Sequence, residues 1–333
     1  MNILITGGAG FIGSNFVYFL LKKYRKIQII NLDSITYAGS VKNLTRFKEY
    51  PNHTFVHGDI RDNELLENLF SNFKVDTIVN FAAETHVDRS ISNPNIFIQT
   101  NILGTLSLLN VALKHKVKKF IQISTDEVYG SLENRGYFTE ESPLAPNSPY
   151  AASKASGDLL VKSYFETYGL NINITRCTNN YGEYQYPEKL IPLIITNAID
   201  NKLIPIYGNG ENVRDWLHVI DHCKAIDLVL NNGIPGEVYN IGGNNEYKNI
   251  DVAKEVLKIL GKPLNLIRYV EDRPGHDFRY AINPGKINQL GWNAEQSFIK
   301  GLEYTVTWYL ENQEWWNEMK KSTNEKFKRE QIG

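Results

Sequence analysis

Cysteine and methionine are scarce, with two of each in 333 residues. Cys177 and Cys223 are too few for a disulfide framework and form no Cys-x-x-Cys pair. Stapled secreted scaffolds are thereby excluded, and a reducing cytoplasm fits best. Charge of one sign is lacking as well: 36 Lys+Arg against 37 Asp+Glu give 36 − 37 = −1. With no global basic field, nucleic acid and anionic membranes are not expected partners, although a local basic pocket stays open. No basic-then-apolar leader precedes the first apolar run. The longest apolar runs, Phe16–Leu21 and Leu190–Ile195, are flanked by charge or proline. Neither approaches the ~20 residues that cross a bilayer. No His, Cys and carboxylate cluster has metal-ligand spacing, so no metal is expected. Internal repeats and low-complexity stretches are also missing.

What is present is the composition of a globular enzyme, 42% hydrophobic and 22% charged, in a length that suits one large domain or two ordinary ones. Short apolar runs alternate with helical patterns through the first half. Strands are expected at Ile3–Thr6, Ile27–Asp33, His53–Asp59, Thr77–Phe81, Lys119–Ser124 and Asn171–Arg176. Helices are expected at Ile12–Lys23, Glu64–Phe73, Asn95–His115 and Tyr150–Tyr168. Such alternation implies an α/β fold with a doubly wound, Rossmann-type parallel sheet covered on both faces. After Tyr181 the rhythm breaks at Pro187, Pro192, Pro205 and Gly208-Asn209-Gly210. A sheet strand then returns at Glu237–Gly242, and the Lys/Glu-rich end after Trp316 reads as a solvated helix or frayed tail. The division expected is a cofactor domain over 1–182, with roughly 215–245 returning to it. A smaller, partly discontinuous α/β substrate domain would take 183–214 and 246–333.

Gly8-x-Gly10-x-x-Gly13, with Gly7 before it, follows the first strand and opens the first helix. Glycines there permit a tight turn, close approach of backbone N–H groups to a pyrophosphate and close helix–strand packing. The helix N-terminus adds orphan donors and partial positive charge. Asp33 closes the second strand, about 20 residues past the loop, where a carboxylate meets ribose hydroxyls and repels a 2′-phosphate. The expected cofactor is therefore NAD, not NADP. Asp59-Ile60 is placed to hold the adenine, and Phe81-Ala82-Ala83 allows close cofactor approach.

Tyr150-x-x-x-Lys154 puts a phenol and an ammonium on one helical face. The lysine is expected to favour the phenolate, making Tyr150 a usable base, and to hold the nicotinamide ribose. Ser124-Thr125 closes the preceding strand as a hydroxyl pair facing a substrate hydroxyl.

These motifs resemble the extended short-chain dehydrogenase/reductase family over nearly the whole chain. Ser124-Thr125-Asp126-Glu127-Val128-Tyr129-Gly130 is most similar to the dTDP-glucose 4,6-dehydratases in that family. In the related decarboxylases and GDP-mannose dehydratases a serine usually replaces the Asp, and epimerases usually lack the acidic pair. Ala83–Ser90, Pro187–Pro192, Arg214-Asp215-Trp216 and Asp272–His276 resemble the same branch. Glu183 departs from its usual proline and Thr85 from its usual serine.

The resemblance implies a lyase of deoxysugar biosynthesis acting on a nucleotide sugar, dTDP-glucose. Thr125, Asp126, Glu127, Tyr150 and Lys154 would be its catalytic residues. Phe11, Ile12, Ser34, Thr36, Thr100 and Asn180 would join the cofactor contacts. Arg214 and Arg273 would meet the diphosphate, because a guanidinium engages phosphate oxygens in bidentate fashion. Thr85, Asn179, Lys189, Leu190 and Pro205 would be further substrate contacts, as would Tyr207, Asn249, Asp272 and His276. A homodimer is implied, packed through the Asn95 and Tyr150 helices. A 4-epimerase or decarboxylase remains the nearest alternative reading, and a non-catalytic dinucleotide sensor on the same fold is a more distant one.

Overall fold

In the computed structural model the described residues are 1–133, 135–272 and 274–330. Among them the strands are, in chain order, β1 (Asn2–Thr6), β2 (Gln28–Asp33), β3 (His53–His57), β4 (Thr77–Asn80), β5 (Lys119–Thr125) and β6 (Ile172–Cys177). They continue with β7 (Asn179–Tyr181), β8 (Ile204–Tyr207), β9 (Val213–His218), β10 (Val238–Ile241), β11 (Glu246–Lys248) and β12 (Ile267–Val270). Seven build one sheet in the order β10-β6-β5-β4-β1-β2-β3, with every neighbouring pair parallel.

An all-parallel sheet must be covered on both faces, and β4, β5 and β6 are buried at every position. Successive strand residues point to opposite faces. Ile3 and Ile5 pack with Phe16 and Leu20 of the Phe11–Lys23 helix and with Ile226 and Val229 of the Val219–Asn232 helix. Leu4, between them, faces the other way, into Leu66, Leu108, Phe120 and Val161. Strand order reverses between β1 and β4. The crevice beyond the carboxyl ends of the strands at such a switch is where doubly wound sheets present a ligand.

A second core joins Ile191, Ile194 and Ile195 to Val252, Val256, Leu302 and Val306, closed by Trp315 and Trp316. Two small sheets, β11-β9-β7 and β12-β8, lie in the same part of the chain. The Val219–Asn232 helix and β10 belong to the first core and the seven-stranded sheet, so the chain passes from one core to the other more than once.

Two segments differ from expectation. The 95–115 pattern is not one α-helix: Pro94–Phe97 and Thr105–Lys114 flank a π-helical stretch, Ile98–Gly104. Thr105 Oγ donates to the Asn101 carbonyl at 2.8 Å, a side chain inserted into the helical ladder. Pro94–Lys114 is also, at 21 residues and mean hydropathy 1.6, long and apolar enough to cross a membrane by length and composition. It is 44% buried in the fold, and Ile98 and Leu103 stand exposed on it. Finally, the chain around Trp316 leads into a helix, one of the two forms expected of the end after Trp316, but the start of that helix is buried. It enters the Gln313–Glu330 helix with Trp315, Trp316 and Met319 buried, because both indoles find partners for their N–H groups, Asn43 Oδ1 and the Tyr309 carbonyl.

Candidate active site

The carboxyl ends of β1, β2, β4 and β5 open into one cavity of about 320 Å³, within the range of small-molecule sites. Gly7 lies in the left-handed region at φ +69°, and a Cβ there would stand 2.7 Å from the Ala82 amide nitrogen. Only glycine fits. The helix that follows has Gly10 as its N-cap and no side-chain cap. The Asn63–Phe73 and Pro149–Tyr168 helices are instead capped by Asp62 and Ser148. An uncapped first turn keeps its N–H donors for a ligand phosphate.

Asp33 is buried at the end of β2, its two oxygens accepting from the Ala9 and Ile35 amides at 2.9 and 2.8 Å. Burial raises its carboxyl, and those two amides offset only part of the rise. Remaining lone pairs suit ribose hydroxyls. Gly7, Gly10, Phe11, Ile12, Gly13 and Asp33 all line the cavity, with Ser34, Thr36, Asp59 and Ile60. So do Phe81, Ala82, Ala83, Thr100 and Asn180. The glycine cradle, the open helix end and the carboxylate fit a dinucleotide.

Tyr150, Lys154, Thr125 and Glu127 line the same cavity. Ser148 caps the Tyr150 helix through the Ala151 amide, Pro149 fills its first position, and Gly169 ends it at φ +69°. Tyr150 and Lys154 do not form the expected phenolate pair. Lys154 Nζ donates to the Ile123 carbonyl at 2.6 Å, and burial lowers its ammonium. Burial first, then Glu127 and Cys177, holds the Tyr150 phenol well above its ordinary value, with a hydrogen bond from Thr125 opposing.

Asp126 is 1% exposed and lies behind the cavity wall. Its Oδ1 accepts from Thr125 Oγ at 3.2 Å, and its Oδ2 has no protein partner. Burial, then Glu127 and Asp215, raises its carboxyl well above the usual range, which favours its protonated form. The two adjacent carboxyls thus sit in different environments, Asp126 buried and Glu127 on the cavity surface. Beneath them, Asp158 Oδ2 accepts from Ser124 Oγ and Arg176 Nε, both at 3.0 Å, fixing the ends of β5 and β6.

Of the expected substrate contacts, Thr85, Asn179 and Lys189 line this cavity, and Lys189 Nζ donates to the Thr85 carbonyl at 3.0 Å. The buried Oδ1 atoms of Asn179 and Asn249 have no protein partner. Leu190, Pro205, Tyr207, Arg214, Asn249, Asp272 and His276 do not line it. Tyr207, Asp272 and His276 meet one another instead: His276 Nδ1 is 2.6 Å from Asp272 Oδ1, and the Tyr207 ring packs edge-on to His276. Tyr207 OH reaches Asp88 Oδ2 at 3.5 Å, across from the segment after β4. Arg214 is buried, donating to the Val213, Phe278 and Asp277 carbonyls at 2.7, 3.3 and 2.9 Å. Arg273 lies outside the described residues.

Sequence reasoning missed Arg61, Cys177, Gln185 and Tyr186, which also line the cavity. It missed Asn101 too, whose side chain bonds the Glu84 amide and carbonyl and Ser153 Oγ at 2.9, 3.1 and 2.8 Å. Arg61 had a local signal: it follows Asp59, pairs with it at 2.7 Å and lowers its carboxyl. Among the described residues no metal-holding group of His, Cys and carboxylates exists.

Comparison with known proteins finds that residues 4–305 match the family model of GDP-mannose 4,6 dehydratase. A dTDP-glucose 4,6-dehydratase of Streptomyces niveus is 51% identical over 96% of both chains. The structure of a dTDP-glucose 4,6-dehydratase from Bacillus anthracis in complex with NAD superposes with TM-score 0.90 at 53% identity, covering 96% of this chain and 99% of that one. A Streptomyces venezuelae dTDP-glucose 4,6-dehydratase solved with NAD bound superposes with TM-score 0.93 at 51% identity, covering 96% and 100%.

Proposed function

The chain belongs to the GDP-mannose 4,6-dehydratase family, and from that premise we propose that it converts dTDP-glucose to dTDP-4-keto-6-deoxy-glucose and water. NAD bound in the cavity supplies hydride acceptance from C4 and hydride return to C6. Tyr150 removes the proton of the 4-hydroxyl while Thr125 holds the 4-oxygen. Because the phenol is held high, Lys154 must turn from the Ile123 carbonyl toward Tyr150 for that base to act. The ketone at C4 acidifies C5, and Glu127 takes the C5 proton. Asp126, protonated, donates to the departing 6-hydroxyl. Glu127 then returns its proton to C5, and Tyr150 releases to solvent the proton it took while Asp126 takes one up, so both groups are reset. Arg214, Arg273 and Lys189 meet the diphosphate, with Asn179 and Asn249 beside it.

One observation carries the reading: Asp126, buried and with its carboxyl raised well above the usual range, sits directly behind Glu127, which lines the dinucleotide cavity. An epimerase has no water to expel and no use for that acid. The exposed Ile98, Leu103 and Leu159, on the Pro94–Lys114 and Pro149–Tyr168 helices, support a homodimer packed as a helix bundle across these two segments. Free, buried Cys177 and Cys223 suit the cytoplasm, where nucleotide sugars and NAD are made.

The test mixes purified protein with dTDP-glucose and no added cofactor, following product by mass and by absorbance in alkali. Loss of one water without net NADH is expected. An unchanged mass with a C4 epimer would overturn the dehydratase reading.

A further inference from the structure

The Ala9 peptide, inside the glycine loop, is held from behind. Its N–H donates to Asp33 Oδ2 at 2.9 Å. Its carbonyl accepts from the Ser40 amide at 3.1 Å and from Asn43 Nδ2 at 2.8 Å. Asn43 Oδ1 in turn accepts from the indole N–H of Trp315 at 2.9 Å, a residue 272 positions away on the last helix. The orientation of the Asn43 amide leaves no choice, since an indole only donates and a carbonyl only accepts. Ala9, Asn43 and Trp315 are all buried.

Two further links run from the same helix. Trp315 packs edge-on to Tyr184. Tyr184 lies under the Arg46 guanidinium, which donates to Ser14 Oγ and Asn15 Oδ1 in the helix opening on the glycine loop. Tyr186, which lines the cavity, donates to the Met319 carbonyl at 3.3 Å.

We propose that the C-terminal helix braces the cofactor site, with Trp315 a positioning residue that acts through Asn43 on the Ala9 carbonyl. A carbonyl drawn behind the loop stays off the anionic pyrophosphate, and the Ala9 N–H stays on the carboxylate that meets the ribose. Released, that carbonyl turns an acceptor toward phosphate oxygens, and the loop loses its preorganised shape. The inference rests on reading the cavity as the NAD site.

Binding of NAD to the cofactor-depleted full-length chain, measured by calorimetry, tests it. Trp315→Phe keeps an aromatic ring but loses the donor and part of the indole's bulk; it should weaken NAD binding about fivefold, the effect falling on NAD requirement rather than on maximal rate. Asn43→Asp still accepts from Trp315 but sets an acceptor against the Ala9 carbonyl, and should weaken NAD about tenfold or more. The double variant should bind no more weakly than Asn43→Asp alone, because the indole acts through residue 43. NAD affinities equal to wild type in both single variants would overturn the brace. So would a fall in thermal midpoint that is the same with and without NAD, since that marks a general packing role. Failure of the wild-type chain to bind NAD would overturn the cavity reading, and the brace with it.

Discussion

Around the cofactor cavity the groups that face a ligand are largely backbone, set by glycines and by one uncapped helix end at the edge of a single rigid sheet. On the side proposed for the nucleotide diphosphate they are long side chains already bonded within the protein. Arg214 is tied to three carbonyls, His276 to Asp272, and Lys189 to Thr85. The first arrangement is preformed and meets a ligand with little rearrangement. The second must exchange internal partners for phosphate oxygens, so part of its binding energy goes into that exchange. Asp126 and Glu127 lie where the two sides meet.

The largest effect should come at that junction. Asp126→Asn keeps the shape and removes the proton donor, so turnover should fall by about 10²–10⁴. The initial oxidation should survive as a rise in NADH absorbance without loss of water. Dehydration at the wild-type rate would remove Asp126 from the proposed mechanism. The same substitution should stabilise the fold. Asp126 has a raised folded-state pKa, so its favourable contribution is present below the unfolded carboxyl range and is lost as pH rises through the raised value. At neutral pH the asparagine should therefore gain about 1–3 kcal/mol, an advantage that shrinks toward acid, as thermal melts across pH would register.

The next two predictions separate the sides. Asp33→Asn removes the charge from the ribose contact and weakens the grip on the Ala9 and Ile35 amides. NAD affinity should fall about 10- to 100-fold, with the KM for dTDP-glucose little changed when NAD is saturating. Arg214→Lys should do the reverse, raising that KM about tenfold while leaving NAD retention intact. A lysine offers no planar fork to share between backbone carbonyls and phosphate. If Arg214→Lys released NAD, or Asp33→Asn altered only the sugar-nucleotide KM, the contrast between the two sides would collapse.

The same contrast explains what was readable in the sequence. Gly7 to Gly13, Asp33, Tyr150 and Lys154 stand at fixed offsets from strand ends and helix starts, so local periodicity places them. Their meeting in one cavity follows from parallel strands ending on one side. Asn101 and Asn43 carry no such mark. Their work is to bond backbone 17 and 34 residues away, and any surface asparagine reads alike. The π-helical stretch that carries Thr100 and Asn101 was equally hidden, because an apolar run scores the same with one extra residue per turn. Trp315, just before the Lys/Glu-rich end, carries no mark either, since spacing says nothing about the partner of its indole N–H. The Lys154 contact was hidden for a further reason. Spacing puts Lys154 on the face of Tyr150 but is silent about the Ile123 carbonyl, supplied by a neighbouring strand.

The smallest predicted effect concerns His222, which is fully buried on the Val219–Asn232 helix and bonded through Nδ1 to Asn180 Oδ1 at 2.8 Å. Asn180 stands on β7, between the two cores, and its Nδ2 donates to the Thr178 carbonyl at 2.9 Å. Its Oδ1 is therefore the acceptor, and Nδ1 of His222 must carry the proton. Burial lowers His222 to about 3, so the ring is neutral at working pH. A depressed folded-state value makes its contribution present above the unfolded histidine range and lost as pH falls toward that value. Unfolding free energy should thus decline by up to about 1.4 kcal/mol per unit as pH drops below roughly 6.5. His222→Gln keeps a donor for Asn180 but cannot titrate. It should flatten this acid limb while costing only about two- to fivefold in turnover. An acid limb as steep in the variant as in the wild type would assign the titration elsewhere, to His53, which burial lowers to about 4.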